Sequence, residues 1–213
     1  LAENRVRHLN RVYAMLSDIN EMMVRAMDTS RIFNEACRIA VDRGGFAMAW
    51  IGRFDPATEY LEVVAHAGAS PEALVLLRDL VTRSPHGGVC THTDRALRRA
   101  TPAVCNDIER DPEAQAWRDA ALRFGYRSMT SLPLLSRGRA IGTFNLYSAD
   151  VGFFDVDELQ ILDDLARDIS FALELGEREA DRKRAEAALQ ASEERFRQLA
   201  ENIGEVFWMV DAK

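Results

Sequence analysis

From Val156 to about Glu201 the chain carries no proline, and apolar residues recur at three- and four-residue steps, so this stretch is committed to one long helix. Asp155, Asp157 and Glu158 place acidic side chains at its positive end. The apolar seam is dense at Leu162, Leu165, Ile169 and Ala172. It thins to alanine at Ala180 and Ala187, then returns at Leu189, Phe196, Leu199 and Ile203. Gly176 sits in the weak stretch, and the seam slips by one residue across it. A coiled coil absorbs such a slip as a local change in winding.

A second seam runs through residues 1–28, where Leu9, Val12, Leu16, Ile19, Met23 and Ala26 repeat at the same steps. A helix lying on its own domain's core would show that periodicity too. The narrowness of the stripe and the charge on the other faces favour a partner helix. We therefore expect a homodimer through the terminal helices, with contacts at Leu9, Val12, Leu16, Ile19 and Met23, and at Leu162, Leu165, Ile169 and Ala172.

Between the two helices, residues 29–173 alternate helix and strand. Asp28-Thr29-Ser30 caps a helix over about 31–42, which Gly44-Gly45 ends. Phe46 to Phe54 is apolar on both faces, as a central strand would be. The turn Asp55-Pro56-Ala57-Thr58 leads back through Tyr60 to Ala67, giving an antiparallel hairpin. Helices are expected over about 71–80 and 89–99, with a loop ending in Gly87-Gly88 between them, and a short strand at 103–106. Asp111-Pro112-Glu113 opens a helix running to Phe124, stopped by Gly125. Strands at about 127–136 and 139–148 are joined by the turn Ser136-Arg137-Gly138. The pattern predicts an α+β fold, an α/β/α sandwich: five or six antiparallel strands with helices on both faces.

Net charge excludes some partners. The 213 residues carry a formal charge of −7, which argues against nucleic acid and against an anionic membrane surface. Gly87-Gly88 lacks the glycine and lysine spacing of a phosphate loop. Three cysteines, Cys37, Cys90 and Cys105, are too few and too odd in number for a disulfide framework. They suit a reducing, cytoplasmic compartment. The chain starts at Leu1 and stops at Lys213 within a strand-like run. It reads as a piece of a longer protein whose remainder could include a membrane anchor or a catalytic output.

Several motifs, in order, resemble the second half of a bacterial GAF domain. They are Val104-Cys105-Asn106-Asp107-Ile108, Asp111-Pro112, Trp117, Gly125-Tyr126-Arg127-Ser128, Leu132-Pro133-Leu134, Ile141-Gly142-Thr143-Phe144-Asn145-Leu146-Tyr147 and Phe154. The hairpin from Phe46 to Ala67 matches the first half. The resemblance covers about 29–173. It implies a small-molecule cavity on one face of the sheet and terminal helices, often pairing subunits, on the other. Ala191 to Leu199, followed by Glu205 to Asp211, is similar to the lead-in helix and first strand of a PAS domain. The layout implied is a connector at 1–28, a GAF-like domain at 29–173, a signalling helix at 174–200 and the start of a PAS-like domain at 201–213. Sensor histidine kinases and cyclic-di-GMP enzymes share it. No kinase or cyclase motif is present in these residues, so an enzyme is not expected here.

The resemblance places the cavity beneath the helices near 89–99 and 112–124. Candidate ligand contacts are Trp50, Cys90, Cys105, Asp107, Trp117, Tyr126, Ser128 and Thr130. Trp50 more readily serves the core, Asp107 more readily holds a backbone turn, and Trp117 suits packing and lining equally. His86, Cys90 and His92 lie close in sequence, with His66 and Cys105 elsewhere, but His-x-x-x-Cys-x-His is no standard ligand spacing, so neither metal nor haem is expected. Related photoreceptor domains attach a bilin through a Cys-His pair where this chain has Ala116-Trp117, so no covalent bilin is expected. GAF-fold reductases of free methionine sulfoxide carry a motif like Gly88-Val89-Cys90, but their catalytic cysteine falls where this chain has Ala114 to Arg118. Without that thiolate the chemistry has no carrier. The favoured expectation is a regulatory sensory module. A structural dimerisation element with no ligand is the alternative.

Overall fold

The computed structural model describes residues 2–25, 28–82 and 91–210. The elements run α1 (Ala2–Arg25), α2 (Thr29–Asp42), β1 (Met48–Asp55), β2 (Tyr60–Ala67), α3 (Pro71–Thr82), α4 (Thr91–Arg99) and β3 (Ala103–Cys105). A 3-10 turn (Pro112–Ala114), α5 (Arg118–Arg123), β4 (Ser128–Ser136), β5 (Arg139–Ser148) and α6 (Val156–Val210) follow. The strands form one five-stranded antiparallel sheet in the order β2-β1-β5-β4-β3.

Local chemistry sets the turns. In the β1–β2 hairpin the Asp55 carboxylate accepts from Ala57 N at 2.9 Å and from Thr58 Oγ1 at 3.0 Å. At the β4–β5 hairpin Arg137 and Gly138 both take positive φ, 51° and 76°. That pair of values matches the right-handed twist of the flanking strands. The Asp28 carboxylate caps α2 through Ser30 N.

Each inner strand is buried on both faces, so side-chain parity decides which layer a residue joins. Ala49, Ile51, Leu132, Leu134, Phe144 and Leu146 point to one core, which also holds Ile32, Phe33 and Ala36 of α2 and Leu162, Leu165 and Ile169 of α6. α1 closes this layer with Val12, Met15 and Ile19, all fully buried. Asn20 Nδ2 donates to Asp168 Oδ2 at 3.1 Å, and Arg43 Nε to Asp18 Oδ2 at 2.9 Å. Burying one such leucine or isoleucine contributes about 1.5–3 kcal/mol. Met48, Trp50, Met129 and Tyr147 point to the other core, beneath α3, the 3-10 turn and α5.

The chain divides into two compact units, Leu1–Glu174 and Leu175–Lys213. In the second, the side chains described from 175 to 197 are exposed, with Ser192 partly covered. Among the described residues no helix is long and apolar enough to cross a membrane.

Three expectations need correction. The helix expected from 112 to Phe124 is broken at Trp117, whose φ of −129° and ψ of 0° leave the helical region. Arg118 fills the break, its guanidinium donating to Ile108 O at 3.2 Å and Asp111 O at 2.6 Å. The strand expected at 205–211 is helical through Val210; a helix satisfies its own backbone where no neighbouring strand does. Finally, Val12, Ile19, Leu162, Leu165 and Ile169 are fully buried within the single chain. Leu9, Leu16, Met23 and Ala172 pack partly buried against the same core. Both seams therefore pack into the core shared with α2 and the sheet, and the large apolar residues that α6 exposes are Val156, Phe171, Leu175, Leu189 and Phe196 instead.

Candidate functional site

The helix-covered face that carries Trp50 and Tyr147 holds the candidate site. The same face of the sheet carries a buried polar ladder across β4, β5 and α4. Ser131 and Asn145 are cross-strand partners. Asn145 Oδ1 accepts from Thr93 Oγ1 at 3.2 Å and from Ser131 Oγ, and Thr93 and Ser131 hydroxyls lie 3.0 Å apart. Asn145 Nδ2 donates to Thr143 Oγ1 at 3.0 Å. All four side chains are fully buried, so the ladder pins the first turn of α4 to the middle of the sheet.

Beside that ladder lies an apolar crevice between α3, α5 and the strands. It encloses about 40 Å³ and is lined by Met48, Leu76, Leu77, Leu80, Trp117, Ala121, Phe124, Tyr126 and Tyr147 among others. Its aromatic wall is continuous. Trp117 meets Tyr147 edge-on at 6.3 Å, Tyr147 meets Tyr126 at 5.2 Å, and His92 meets Trp117 edge-on at 6.2 Å. Trp50 Nε1, Trp117 Nε1 and His92 Nδ1 are buried with no hydrogen-bond partner among the described residues. Orphaned nitrogens of this kind are uncommon in a finished core and ask for a partner. Burial pushes the Tyr126 phenol up.

At the edge of the crevice three segments meet: the start of α4, the end of β3 and the cap of the 3-10 turn. Asp111 Oδ1 caps the turn through Glu113 N at 2.8 Å, and Asp111 Oδ2 accepts from His92 Nε2 at 3.0 Å. His92 and Cys105 are each 1% exposed. Burial pulls the His92 imidazole below its usual value, against the opposing pull of Asp111. Burial, then the hydrogen bond to Asp111, pushes the Cys105 thiol up to about 12. Burial alone would raise the Asp111 carboxyl, but hydrogen bonds from Cys105, Glu113 N and His92 together hold it low. Thr91 Oγ1 donates to Glu113 O at 2.6 Å, and Arg95 pairs with the Glu113 carboxylate at 2.5 Å, closing the rim.

Of the residues expected at the cavity, Trp117 and Tyr126 line the crevice, while Trp50 and Cys105 belong to the same core layer. Asp107 does not join them. Its carboxylate accepts from Arg110 N, and its carbonyl from Arg110 N and Asp111 N, so it holds the turn. Ser128 and Thr130 are corrected outright. Thr130 pairs with Leu146 and alternates with Leu132, both on the layer of the terminal helices, so strand parity turns it away from the crevice. Thr130 Oγ1 donates to Ala103 O, and Ser128 Oγ to Asp150 O at 2.7 Å. Cys90 and His86 lie outside the described residues. Sequence reasoning passed over Tyr147, Asn145 and Asp111 as site residues. The cap signal at Asp111 was visible, but its second oxygen's partner was not. One residue past Cys105, Asn106 grips the lead-in to α6. Its Nδ2 donates to Phe154 O at 2.8 Å, and its Oδ1 accepts from Phe154 N at 3.0 Å.

An antiparallel sheet with the terminal helices on one face and an aromatic crevice under short helices on the other defines an α+β domain of the GAF-like class. The GAF domain model matches residues 26–174, and the chain belongs to the GAF domain family. No curated protein matches it. Among solved structures it is similar to free methionine-R-sulfoxide reductase from Neisseria meningitidis in complex with its substrate, at 21% identity and TM-score 0.64, covering 79% of this chain and 91% of that one. It is also similar to the GAF domain region of a putative membrane protein from Geobacter sulfurreducens, at 20% identity and TM-score 0.58, covering 73% and 99%. A domain of a putative two-component sensor histidine kinase from Sinorhizobium meliloti matches at 20% identity and TM-score 0.53, covering 71% and 94%. At these identities the likeness is one of fold.

Proposed function

We propose that this domain is a regulatory sensory module that takes a small organic ligand in the crevice bounded by Trp117, Tyr126 and Tyr147, and conveys the change through α6 to a downstream output in bacterial signalling. The observation that carries this is the aromatic wall with its unpartnered Trp117 and His92 nitrogens. A packed core has no use for orphaned buried polar nitrogens, whereas a binding site keeps a few placed polar groups in an apolar lining. The enclosed volume is far below the roughly 300–1,000 Å³ of ligand sites, so binding requires α3 and α5 to part. A ligand that prefers the parted state shifts the population toward it by its difference in affinity. Dimerisation belongs to the same reading. With the inner seams buried, it falls to Phe171, Leu175, Leu189 and Phe196, which α6 exposes. The likeness of 191–199 to a PAS lead-in helix is what supports a PAS-like start at 201–213, while the strand half of that likeness is replaced by helix through Val210.

Native mass spectrometry of the undenatured chain tests the reading. A retained small molecule, lost in Trp117→Ala, is the expected result. A bare mass, with no thermal shift from a panel of cyclic nucleotides, amino acids and aromatic metabolites, would favour a purely structural element. The reductase reading needs a reactive thiolate. Cys37 is buried in the opposite core layer and Cys105 is held as a thiol, which leaves Cys90. An assay on free methionine sulfoxide, with Cys90→Ser as control, separates that reading, and we expect no turnover.

A further inference from the structure

His92, Cys105 and Asp111 bring one nitrogen, one sulfur and one oxygen to within 4.8 Å of one another. They come from three separate segments, α4, β3 and the cap of the 3-10 turn, so only the fold assembles them. We propose that His92 Nε2, Cys105 Sγ and Asp111 Oδ2 form a binding site for one divalent transition-metal ion of the zinc type, with solvent in the fourth position.

The donor set decides the class of ion. Thiolate and imidazole select borderline or soft metals, whereas calcium and magnesium want oxygen throughout. Geometry is close to what such an ion needs. Ligand bonds of about 2.0–2.3 Å in a tetrahedron place ligand atoms roughly 3.3–3.7 Å apart. His92 Nε2 and Asp111 Oδ2 stand 3.0 Å apart and separate by a few tenths of an ångström. The widest of the three separations, within 4.8 Å, closes by up to about 1 Å, and the hydrogen bonds from His92 and Cys105 to Asp111 give way to metal bonds. Asp111 can donate Oδ2 without losing its structural task, because Oδ1 holds Glu113 N. Charge balances as well: one thiolate and one carboxylate neutralise a dication, which suits a site where two of the three ligands are 1% exposed. Binding converts the Cys105 S–H to a metal-bound thiolate whose proton leaves to solvent, and the His92 ring proton passes from Nε2, where it now meets Asp111, to Nδ1, so that Nε2 is free to ligate. Glu113 Oε2 lies 3.7 Å from His92 Nε2, but its carboxylate is engaged by Arg95. His92 Nδ1 is buried without a hydrogen-bond partner, so no bond has to break there for it to take the ring proton that Nε2 gives up. Sequence spacing had grouped His92 with Cys90 and His86 and found no ligand pattern. The folded chain groups it with residues well downstream.

The test uses the full 213-residue chain, stripped with chelator and titrated with Co²⁺ and then Zn²⁺. Expected are one ion per chain, the intense visible bands of tetrahedral Co²⁺, a near-ultraviolet sulfur-to-metal band, and a raised melting temperature with Zn²⁺. Cys105→Ser should remove the sulfur band, and Asp111→Asn, which keeps the cap, should weaken Zn²⁺ by at least tenfold, no less than the loss of an outer hydrogen bond to a metal ligand. Should Cys105→Ser fail to fold, Asp111→Asn and His92→Gln carry the same comparison. Octahedral Co²⁺ spectra, no sulfur band in the parent chain, a sulfur band that survives Cys105→Ser but not Cys90→Ser, or unchanged Zn²⁺ affinity in Asp111→Asn would each overturn the proposal. The readouts do not involve the organic ligand, so the outcome is separate from that of the ligand reading.

Discussion

Replacing Asn145 with alanine is expected to lower stability by about 3 kcal/mol. Asn145 is fully buried, accepts from Thr93 and Ser131, and donates to Thr143 Oγ1. Alanine does not orphan all three partners. Thr93 and Ser131 are 3.0 Å apart and can keep one bond between themselves, so one of the two hydroxyls loses its acceptor. Thr143 Oγ1 loses its donor. Each buried polar group left unpaired costs about 1–3 kcal/mol, and two of them, less some relaxation, give the figure above. In urea this moves the midpoint down by about 1.5 M at a slope near 2 kcal/mol/M, with the slope unchanged. Tryptophan fluorescence follows the transition through Trp50 and Trp117. A cycle with Ser131→Ala checks the mechanism, because the double variant should cost about 1 kcal/mol less than the sum of the singles. A midpoint shift worth under about 0.5 kcal/mol, or strict additivity, would show that the ladder does not hold α4 to the sheet.

Three further outcomes follow from the same coordinates. A Cβ at Gly142 would sit 2.2 Å from Gly52 O, so Gly142→Ala forces β1 and β5 apart and should cost about 2–3 kcal/mol by thermal melting. Because burial raises the Tyr126 phenol, the folded state holds that proton more tightly than the unfolded chain does. Its contribution is whole below the unfolded value of about 10 and is lost as pH rises through the higher folded one. Urea midpoints at pH 8 and pH 11 should therefore fall less in Tyr126→Phe than in the parent. Thr130→Val should leave any retained small molecule in place, since Thr130 faces the other layer, whereas Trp117→Ala should release it; loss in both would contradict the assigned faces.

Much of the sheet was legible because its turns are chemically explicit. Asp55 to Thr58 and Arg137-Gly138 mark hairpins by residue type alone, and the strands between them fall where the apolar runs lie. What could not be read was which way an inner strand's side chains point. Ser128 to Ser136 is buried on both faces, so no polar alternation distinguishes Met129 and Ser131 from Ser128 and Thr130, the two candidate contacts that turn out to face the other layer. The terminal seams misled for a related reason. A three-four periodicity records that a helix buries a stripe, and is silent on whether a second copy or the chain's own sheet covers it. The meeting of His92 with Asp111 was beyond sequence because the two lie 19 positions apart on separate segments, and only the fold brings them within 3.0 Å.

Asn106 has a consequence for how the two ends of the domain respond together. Both backbone groups of Phe154, N–H and carbonyl, bond to one side-chain amide, and Asp155, which follows, caps α6 through Asp157 N and Glu158 N. Both contacts come from one side-chain amide, so rotation about χ1 loosens them together. With Gly152 N donating to Asn106 O at 2.8 Å as well, displacement of the strand end next to Cys105 pulls on the root of the long helix through three bonds at one residue.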